Sequence, residues 1–354
     1  MTIVDPIGLL ETMVGIPSVS GDEERMADTV HTWALEQGLR AARADRNVVI
    51  RIGGGNGKRL LLNSHLDTVA PVKSWQTDPF SPVREGDRII GLGANDAKGC
   101  VAAMLSAAVK LNHSEVSGEV ILALTVEEES GGTENGLMNL LPTLGDLDAA
   151  VIGEPTDLAV CVAQKGLLIL EVETAGVARH AAHAHRIDGQ NATVEAARAI
   201  MALADWKPGP EHHLLGPTTC QITTIQGGTK RNVIPDRCVF CLDIRTVPGV
   251  ETEELIGDVR ERTGAEVRVR SDRMKPFETD DGAQIVLAAR RARPDARTIA
   301  SATMSDAVWT RHLPTIKVGP GKTERSHTAG EYIKGDELLD GVAFYEQLMK
   351  EFFK

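Results

Sequence analysis

The sequence is poor in aromatic residues and lacks any long apolar run. Phe, Trp and Tyr make up only 3% of the chain, so no base-stacking platform for nucleic acid is expected. The formal net charge of −12 also argues against a nucleic-acid surface. No apolar run approaches the length of a membrane span, and the first residues lack the pattern of a signal peptide. We therefore expect a cytoplasmic protein that binds neither nucleic acid nor membrane.

Signals for disulfides, redox motifs and phosphate-binding loops are scarce as well. The five cysteines form an odd set, which is typical of reduced thiols rather than of a disulfide framework. Cys238 and Cys241 form a C-x-x-C motif, but they fall in an alternating strand pattern that points them to opposite faces. The glycine run 53–57 precedes a strand and not a helix, so the context of a phosphate-binding loop is missing.

The chain is long enough for two domains. At 354 residues it exceeds the size of one typical compact core. Apolar strands alternate with helices over 1–165 and 277–354, which predicts an α/β catalytic domain built as a three-layer α/β/α sandwich. Residues 166–276 follow the order strand, helix, strand, strand, helix, strand, which predicts an inserted α+β domain of the ferredoxin-like type. Near the end, Thr303–Asp306 is expected to cap a helix over 307–312.

One buried strand ends in a histidine and a carboxylate. The stretch Leu60-Leu-Leu-Asn-Ser-His-Leu-Asp67 begins with aliphatic residues that are typical of a strand buried on both faces. Side chains at positions i and i+2 of a strand point to the same side, so His65 and Asp67 can act together. Taken alone, the motif is more typical of a capped strand end than of a functional site.

Further carboxylates and a histidine occupy comparable positions. They follow strands predicted over 119–126, 148–153 and 315–318, or precede a helix predicted over 97–111: Asp96, Glu127–Glu129, Glu154 and His327. Asp96 alone could equally be a plain helix N-cap. In open α/β sheets, ligand sites form beyond the carboxyl ends of the strands. We therefore expect these side chains to meet at one edge of the sheet.

This set of side chains suits transition-metal ions. The candidate ligands are His65, Asp96, Glu128 or Glu129, Glu154 and His327. Imidazole nitrogen favours zinc, cobalt or manganese over calcium or magnesium. Five ligands exceed the need of one tetrahedral ion and suit two ions, ~3.5–4 Å apart, that share a carboxylate. Amide hydrolysis also needs a free carboxylate as general base, which an adjacent Glu-Glu pair can supply. Asp67 would then fix the tautomer of His65.

The motifs together resemble a known family, the dinuclear zinc hydrolases that include acetylornithine deacetylase, succinyl-diaminopimelate desuccinylase, aminoacylase and glutamate carboxypeptidase. The segments that carry the resemblance occur in the family's order along the chain: His65-Leu-Asp67-Thr, Gly93-Ala-Asn-Asp96-Ala-Lys-Gly99, Thr125-Val-Glu-Glu128-Glu129, Gly153-Glu154-Pro-Thr, Gly176-Val-Ala-Arg-His180, Gly227-Gly, Asn232-Val-Ile-Pro-Asp236, Asp243-Ile-Arg245 and Ser326-His327-Thr. The resemblance implies a water-consuming metallohydrolase with two divalent ions, zinc in first place and cobalt or manganese as alternatives.

The resemblance also implies individual roles. Asp96 matches the bridging ligand, and Asp67 matches the residue that orients His65. His65 with Glu154 matches one metal set, and Glu129 with His327 the other; Glu128 matches the general base. The inserted domain is a lid that also mediates dimerisation in this family, so a homodimer is expected.

Three lid residues follow from the same resemblance. Asn232 and Arg245 match residues that bind the substrate carboxylate, and a guanidinium suits that task because it grips a carboxylate with two hydrogen bonds. His180 matches a histidine that holds the reacting carbonyl oxygen. This family often continues with a His-Ser/Ala-x-x-Pro segment, whereas here Ala181-Ala-His-Ala-His-Arg186 follows. His183 and His185 therefore remain rivals of His180.

The C-terminal loop is most similar to acetylornithine deacetylase. Gly319 and Gly321 are expected to let backbone N–H groups approach an anion, with charge added by Lys322 and Arg325. The implied reaction is deacetylation of N-acetylornithine, acetylcitrulline or acetyllysine in amino-acid biosynthesis, arginine biosynthesis in particular. The alternatives within the family are a succinyl-diaminopimelate desuccinylase and a dipeptidase or carboxypeptidase. A binding module without catalysis would lack the general base, whereas Glu128 is present.

Overall fold

A computed structural model describes residues 4–54, 56–114, 116–131, 134–186 and 190–354. Its α-helices are α1 (Pro6–Val14), α2 (Glu24–Glu36), α3 (Lys98–Asn112), α4 (Gly136–Leu144), α5 (Ala192–Leu203), α6 (Thr252–Thr263), α7 (Gln284–Ala292) and α8 (Gly335–Phe352). Short 3-10 helices cover Ala181–Arg186, Asp306–Val308 and Thr323–Arg325.

The strands are numbered in chain order. They are β1 (Arg40–Ala44), β2 (Asn47–Gly53), β3 (Lys58–His65), β4 (Val83–Glu85), β5 (Arg88–Ile90), β6 (Gly118–Thr125), β7 (Ala149–Ile152), β8 (Val160–Gln164), β9 (Gly166–Ala175), β10 (Arg179–His180), β11 (Thr219–Gly227), β12 (Val233–Ile234), β13 (Arg237–Thr246), β14 (Glu266–Met274), β15 (Phe277–Glu278), β16 (Thr298–Ser301), β17 (Thr315–Lys317) and β18 (Tyr332–Lys334).

The chain forms two compact units. The first contains residues 1–162, 279–299 and 305–354, and the second contains 163–278 and 300–304. The domain boundaries expected from the sequence were 165/166 and 276/277. Among the described residues, no helix is both long and apolar enough to cross a membrane.

A mixed sheet forms the centre of the first unit. Its strands run in the order β1-β2-β6-β3-β7-β17-β8, with β3 parallel to β6 and β7, and β17 parallel to β7. Leu60, Leu61 and Leu62 are at most 1% exposed. Consecutive strand residues point to opposite faces, so both faces of the sheet are covered. The predicted α/β architecture is confirmed.

The parallel strands end at the same edge of this sheet. His65 at the end of β3 lies opposite Thr125 at the end of β6. Ile152 at the end of β7 lies opposite Lys317 at the end of β17. The segments that follow these strands therefore start side by side, which is where α/β proteins place their ligands.

The second unit has its own sheet and core. Strands β11, β13, β9 and β14 form an antiparallel sheet in that order. Buried and partly exposed residues alternate along β9 and β13, and the buried ones pack with apolar residues of α5 and α6. The order β9-α5-β11-β13-α6-β14 is that of a ferredoxin-like fold, as predicted.

One predicted helix is wrong. Residues 307–312 were expected to be helical, whereas the structure has a 3-10 turn at Asp306–Val308, with Ser305 capping it through a hydrogen bond from the Ala307 amide (3.4 Å). Pro314 restricts the residue before it to extended conformations, so the segment has too little room for an α-helix before β17 begins.

Candidate metal centre

The five predicted metal ligands converge within the first unit. They come from the end of β3, the loop before α3 and the segments after β6, β7 and β17: His65, Asp96, Glu129, Glu154 and His327. Ligand-type atoms of His65, Asp96 and Glu154 lie within 4.8 Å of one another, and so do those of Asp96, Glu129 and His327. Asp96 belongs to both groups.

The two oxygens of Asp96 face different histidines. Oδ1 lies 3.4 Å from His65 Nε2, and Oδ2 lies 3.7 Å from His327 Nε2. Glu154 Oε1 lies 3.9 Å from His65 Nε2. Two ligands that each bind a tetrahedral zinc at 2.0–2.1 Å stand ~3.3 Å apart, so these spacings suit ligands that share an ion. His327 Nε2 and Glu129 Oε1 are closer, at 2.8 Å.

The electrostatics of the cluster favour a bound cation. Burial and the negative charge of Asp96 raise the pKa of Glu154 to about 8, and burial raises the pKa of Glu128 well above its usual range. The hydrogen bond with Glu129 raises the pKa of His327 to about 9. Buried carboxylates that repel one another hold protons unless positive charge compensates them. Imidazole and carboxylate donors are also the ligands that zinc, cobalt and manganese accept, so the donor set fits two divalent ions.

Asp96 has no capping function in the structure. The N-cap of α3 is Ala97, and no side chain caps that helix end. The Asp96 carboxylate points toward His65 and His327 instead, so a role as a plain N-cap does not account for this residue.

Asp67 contacts more groups than the sequence suggested. The closest acceptor for His65 Nδ1 is the main-chain carbonyl of Asp67 at 3.0 Å, while the carboxylate lies 3.5 Å away. That carboxylate accepts hydrogen bonds from the backbone N–H groups of Glu128 (3.2 Å) and Glu129 (3.0 Å). The Ser20 hydroxyl donates a further hydrogen bond at 2.7 Å. Asp67 therefore positions both glutamates as well as the histidine.

The first residue of the Glu127–Glu129 run is turned away from the cluster. Glu127 has a φ of +63°, a left-handed conformation that non-glycine residues seldom adopt. Its carboxylate pairs with Arg46 at 3.0 Å, and its backbone N–H donates to Glu23 at 3.3 Å. Arg46 thus compensates one of three adjacent negative charges, while the turn leaves Glu128 and Glu129 directed at the centre. His327 is also left-handed, with a φ of +59°.

Four residues with close links to the centre were not singled out as site residues from sequence. They are Ser20, Asn95, Asp306 and Glu331. Asp306 was expected to cap a helix, but its carboxylate is buried and accepts hydrogen bonds from Asn135 Nδ2 (2.8 Å) and Thr125 Oγ1 (3.4 Å). Burial raises its pKa to about 6. Asn95 precedes Asp96 directly and Glu331 lies four residues after His327, and this closeness to predicted ligands is the signal that the sequence contains.

Two of the predicted anion-binding groups of the C-terminal loop, the Gly319 N–H and the Arg325 guanidinium, bind other residues of the chain. The Gly319 N–H donates to Thr156 Oγ1 at 3.1 Å. A Cβ at Gly319 would come within 2.5 Å of Cys100 Sγ, and Gly321 has a φ of +83°. Close packing and backbone conformation therefore explain both glycines. The Arg325 guanidinium forms a two-pronged pair with Glu337 (2.6 and 2.9 Å) and stacks on Tyr332.

The second unit contains the predicted lid residues. His180 in β10 pairs with Val233 in β12, and the Ala181 N–H donates to the Asn232 carbonyl at 2.9 Å. Asn232 and His180 are thus neighbours. The side chain of Arg245 in β13 forms two hydrogen bonds with Asp243, at 2.8 and 3.1 Å.

The His180 ring contacts a backbone N–H and the ring of His183, whose centroid lies 5.9 Å away. Its Nδ1 accepts a hydrogen bond from the Ala182 N–H at 3.2 Å. In the neutral imidazole the proton therefore sits on Nε2, which is a donor. His183 and His185 lie in the 3-10 helix that follows, and both are exposed.

A separate group of ligand-type side chains in the second unit does not suit a metal. His212 Nε2 and His213 Nε2 lie 3.2 and 3.4 Å from the oxygens of Glu278. However, His212 Nδ1 accepts hydrogen bonds from two backbone N–H groups. The proton of a neutral ring then sits on Nε2, the atom that would have to bind the ion.

Comparisons with known proteins point in one direction. The sequence profile described as Peptidase family M20/M25/M40 matches residues 61–351. A succinyl-diaminopimelate desuccinylase from Dinoroseobacter shibae is 28% identical, with 99% of this chain and 100% of the relative covered. An acetylornithine deacetylase from Myxococcus xanthus is 29% identical, with 82% and 80% covered.

Solved structures share the fold over the whole length. An M20 family metallo-carboxypeptidase from Sulfolobus solfataricus has a TM-score of 0.81 at 19% identity, with 99% of each chain covered. A dinuclear metal-binding peptidase of the M20 family from Bacillus subtilis has a TM-score of 0.75 at 18% identity, with 97% of this chain and 96% of that chain covered. At these identities the likeness establishes the fold.

Proposed function

The chain belongs to peptidase family M20/M25/M40, a family of metallohydrolases that act on amide bonds; on this basis, we propose that it removes the acyl group from an N-acyl amino acid. N-acetylornithine, acetylcitrulline and acetyllysine are the first substrates to test. The observation that carries the proposal is the pair of ligand groups that share Asp96, with Glu128 beside them. That arrangement joins a two-metal site to a carboxylate that can act as general base.

Two ions would be held by distinct sets of side chains. His65 and Glu154 would hold one, Glu129 and His327 the other, and Asp96 would contact both. Zinc is the first choice, and cobalt and manganese suit the same donors. When bound, such a pair polarises the substrate carbonyl and makes water more acidic.

Glu128 is the general base in this proposal. Its backbone N–H donates to Asp67, and a carboxylate oxygen lies within 4.8 Å of ligand-type atoms of His65 and Glu129. It takes the proton from the attacking water and delivers it to the leaving amine, which departs with its electron pair as the acyl group becomes a carboxylate.

The second unit would supply the substrate contacts. His180 Nε2–H is a donor that suits the oxygen of the reacting carbonyl as negative charge develops on it. Arg245 and Asn232 suit the carboxylate end of an amino acid. We also infer a cytoplasmic homodimer active in arginine biosynthesis. The cysteines of the described residues form no disulfide, which supports a reducing compartment. The exposed β11 at the edge of its sheet supports pairing with a second copy.

A second candidate, desuccinylation of succinyl-diaminopimelate, is equally supported. Several relatives carry that name, and the one from Dinoroseobacter shibae aligns along its entire length. A dipeptidase or carboxypeptidase is the third candidate. These substrates differ in the acyl group and in the amine but share the amide bond that is hydrolysed, so the metal centre does not distinguish them.

A substrate panel tests the proposal. The protein is freed of metal with a chelator, reloaded with Zn²⁺ or Co²⁺, and assayed on acetylornithine, acetylcitrulline, acetyllysine, succinylornithine, succinyl-diaminopimelate and a dipeptide. We expect no turnover without metal, and the highest kcat/KM for an acetylated amino acid. A preference for succinyl-diaminopimelate would select the second candidate. Hydrolysis that persists without metal would contradict the mechanism.

His180 should be separable from its neighbour by mutation. Losing one donor to the developing oxyanion costs about 10²–10³ in kcat, so His180→Ala should lower kcat by about that factor with little change in metal content. His185→Ala is the matched control, since it removes an exposed histidine from the same segment, whereas the ring of His183 contacts that of His180. Equal effects of the two substitutions on kcat would remove the basis for choosing His180.

A further inference from the structure

The Glu331 side chain accepts hydrogen bonds from two successive backbone N–H groups, those of Asn95 and Asp96. The N–H groups of Asn95 and Asp96 both donate to Glu331 Oε1, each at 2.9 Å. The side chain comes from a distant part of the chain and is buried, with the residue only 1% exposed. None of the steps described above uses it.

Glu331 itself has a firm anchor. Its carbonyl accepts a hydrogen bond from the Gly91 N–H at 2.9 Å. The next residue, Tyr332, begins β18 and pairs with Ile90 of β5. The carboxylate is therefore held at a fixed distance from the loop that carries Asp96.

Asn95 adds a second attachment to the same C-terminal segment. Its Oδ1 accepts a hydrogen bond from the Lys322 N–H at 2.9 Å, and its Nδ2 donates to the Lys322 carbonyl at 3.0 Å and to Ser326 Oγ at 3.2 Å. His327 follows directly. The C-terminal segment that contains His327 therefore also binds the loop that carries Asp96.

The hydrogen bonds from Asn95 and Asp96 to Glu331 restrict the orientation of the Asp96 carboxylate. Its oxygens face His65 and His327 at 3.4 and 3.7 Å, and a bridging carboxylate must keep both contacts at once. Small rotations of the Asp96 backbone would move one oxygen toward its histidine and the other away. A buried carboxylate is costly to retain, and here one of its oxygens accepts two backbone hydrogen bonds that an apolar side chain would leave unmade.

We propose that Glu331 is a positioning residue that holds the Asp96 carboxylate in its bridging orientation between two metal ions. The proposal rests on the dinuclear centre of the proposed function. It assigns Glu331 no contact with substrate or metal. The role requires an acceptor oxygen at this place, and two N–H groups converge on that one oxygen.

The experiment uses the full-length protein loaded with Co²⁺. Glu331→Ala removes the acceptor, Glu331→Gln keeps an acceptor oxygen in a side chain of the same length, and Glu331→Asp retracts the carboxylate by one methylene. Glu324→Ala is the matched control, because it removes an exposed acid from the same segment. Co²⁺ stoichiometry and affinity, the magnetic coupling of the two ions by electron paramagnetic resonance, thermal unfolding and kcat are measured for each.

We expect Glu331→Ala and Glu331→Asp to weaken binding of the second Co²⁺ at least tenfold, as losses of outer partners of metal ligands do, and to change the coupling. Glu331→Gln should restore both, and Glu324→Ala should match the wild type. Two coupled ions with unchanged affinity in Glu331→Ala would overturn the proposal. If that variant does not fold, the same result in Glu331→Asp overturns it. A wild-type protein that fails to bind two Co²⁺ would instead contradict the proposed dinuclear centre.

Discussion

Glu128→Gln is expected to lower kcat about 10³-fold while both metal ions stay bound, because general-base catalysis contributes about 10²–10⁴. The amide cannot accept a proton, yet it keeps the size of the side chain and leaves the backbone contact with Asp67 intact. The change corresponds to about 4 kcal/mol of lost transition-state stabilisation. The measurements are kcat on the best substrate of the panel and metal content by elemental analysis.

Glu129→Gln provides the matched comparison. Glu129 belongs with Asp96 and His327 to one ligand group, so its substitution should lower metal content first and activity as a consequence. Glu128 also lies near His65 and Glu129 as a potential ligand. If Glu128→Gln lost one metal ion and Glu129→Gln lost none, the two roles would have to be exchanged.

Asp67→Ala should affect the centre more broadly than its distance from the reaction suggests. The substitution removes the acceptor of two backbone N–H groups, those of Glu128 and Glu129. We expect metal affinity to fall about 10–100-fold and the free energy of unfolding to fall by about 2 kcal/mol, since buried donors would lose their partners. Chelator competition and thermal unfolding measure the two effects.

Two milder substitutions separate the contributions of Asp67. In Asp67→Asn one oxygen remains, whereas the two N–H groups bind different oxygens of the native carboxylate. Only one of them can then be satisfied, so metal affinity should lie between those of wild type and Asp67→Ala. Ser20→Ala removes only the hydroxyl donor and should have the smallest effect. Equal metal affinity in all three variants would mean that Asp67 does not position the glutamates.

The elements that the sequence predicts well are those formed by local burial patterns. The aliphatic run at Leu60–Leu62 indicates a strand that is buried on both faces, and the alternation along β9 indicates a strand that is buried on one face. The same holds for the alanine-rich α3, whose residues are mostly buried. Periodicity therefore identifies both sheets, and the rule that ligands follow parallel strands identifies His65 and Glu154 as candidates.

Hydrogen bonds and ion pairs between residues that lie far apart along the chain could not be predicted from the sequence. Asn95 binds the backbone of Lys322, and Glu331 binds that of Asp96. The stretch Thr303–Asp306 was expected to cap a helix, yet the Asp306 carboxylate turns inward and accepts a hydrogen bond from Asn135. Arg325 was expected to offer its positive charge to an anion, but its guanidinium pairs with Glu337. The spacing of apolar residues along the chain does not indicate such contacts.

The position of β17 has consequences for how the molecule folds. This strand lies between β7 and β8, but the chain reaches it only after the whole second unit has been made. Until then β7 has an unpaired edge, which is prone to wrong association, and closing so long a loop slows folding. In the proposed centre His327, which follows β17, would hold one of the two ions, so that ion could bind only once the strand is in place. Metal uptake should therefore trail the final folding step and report on it.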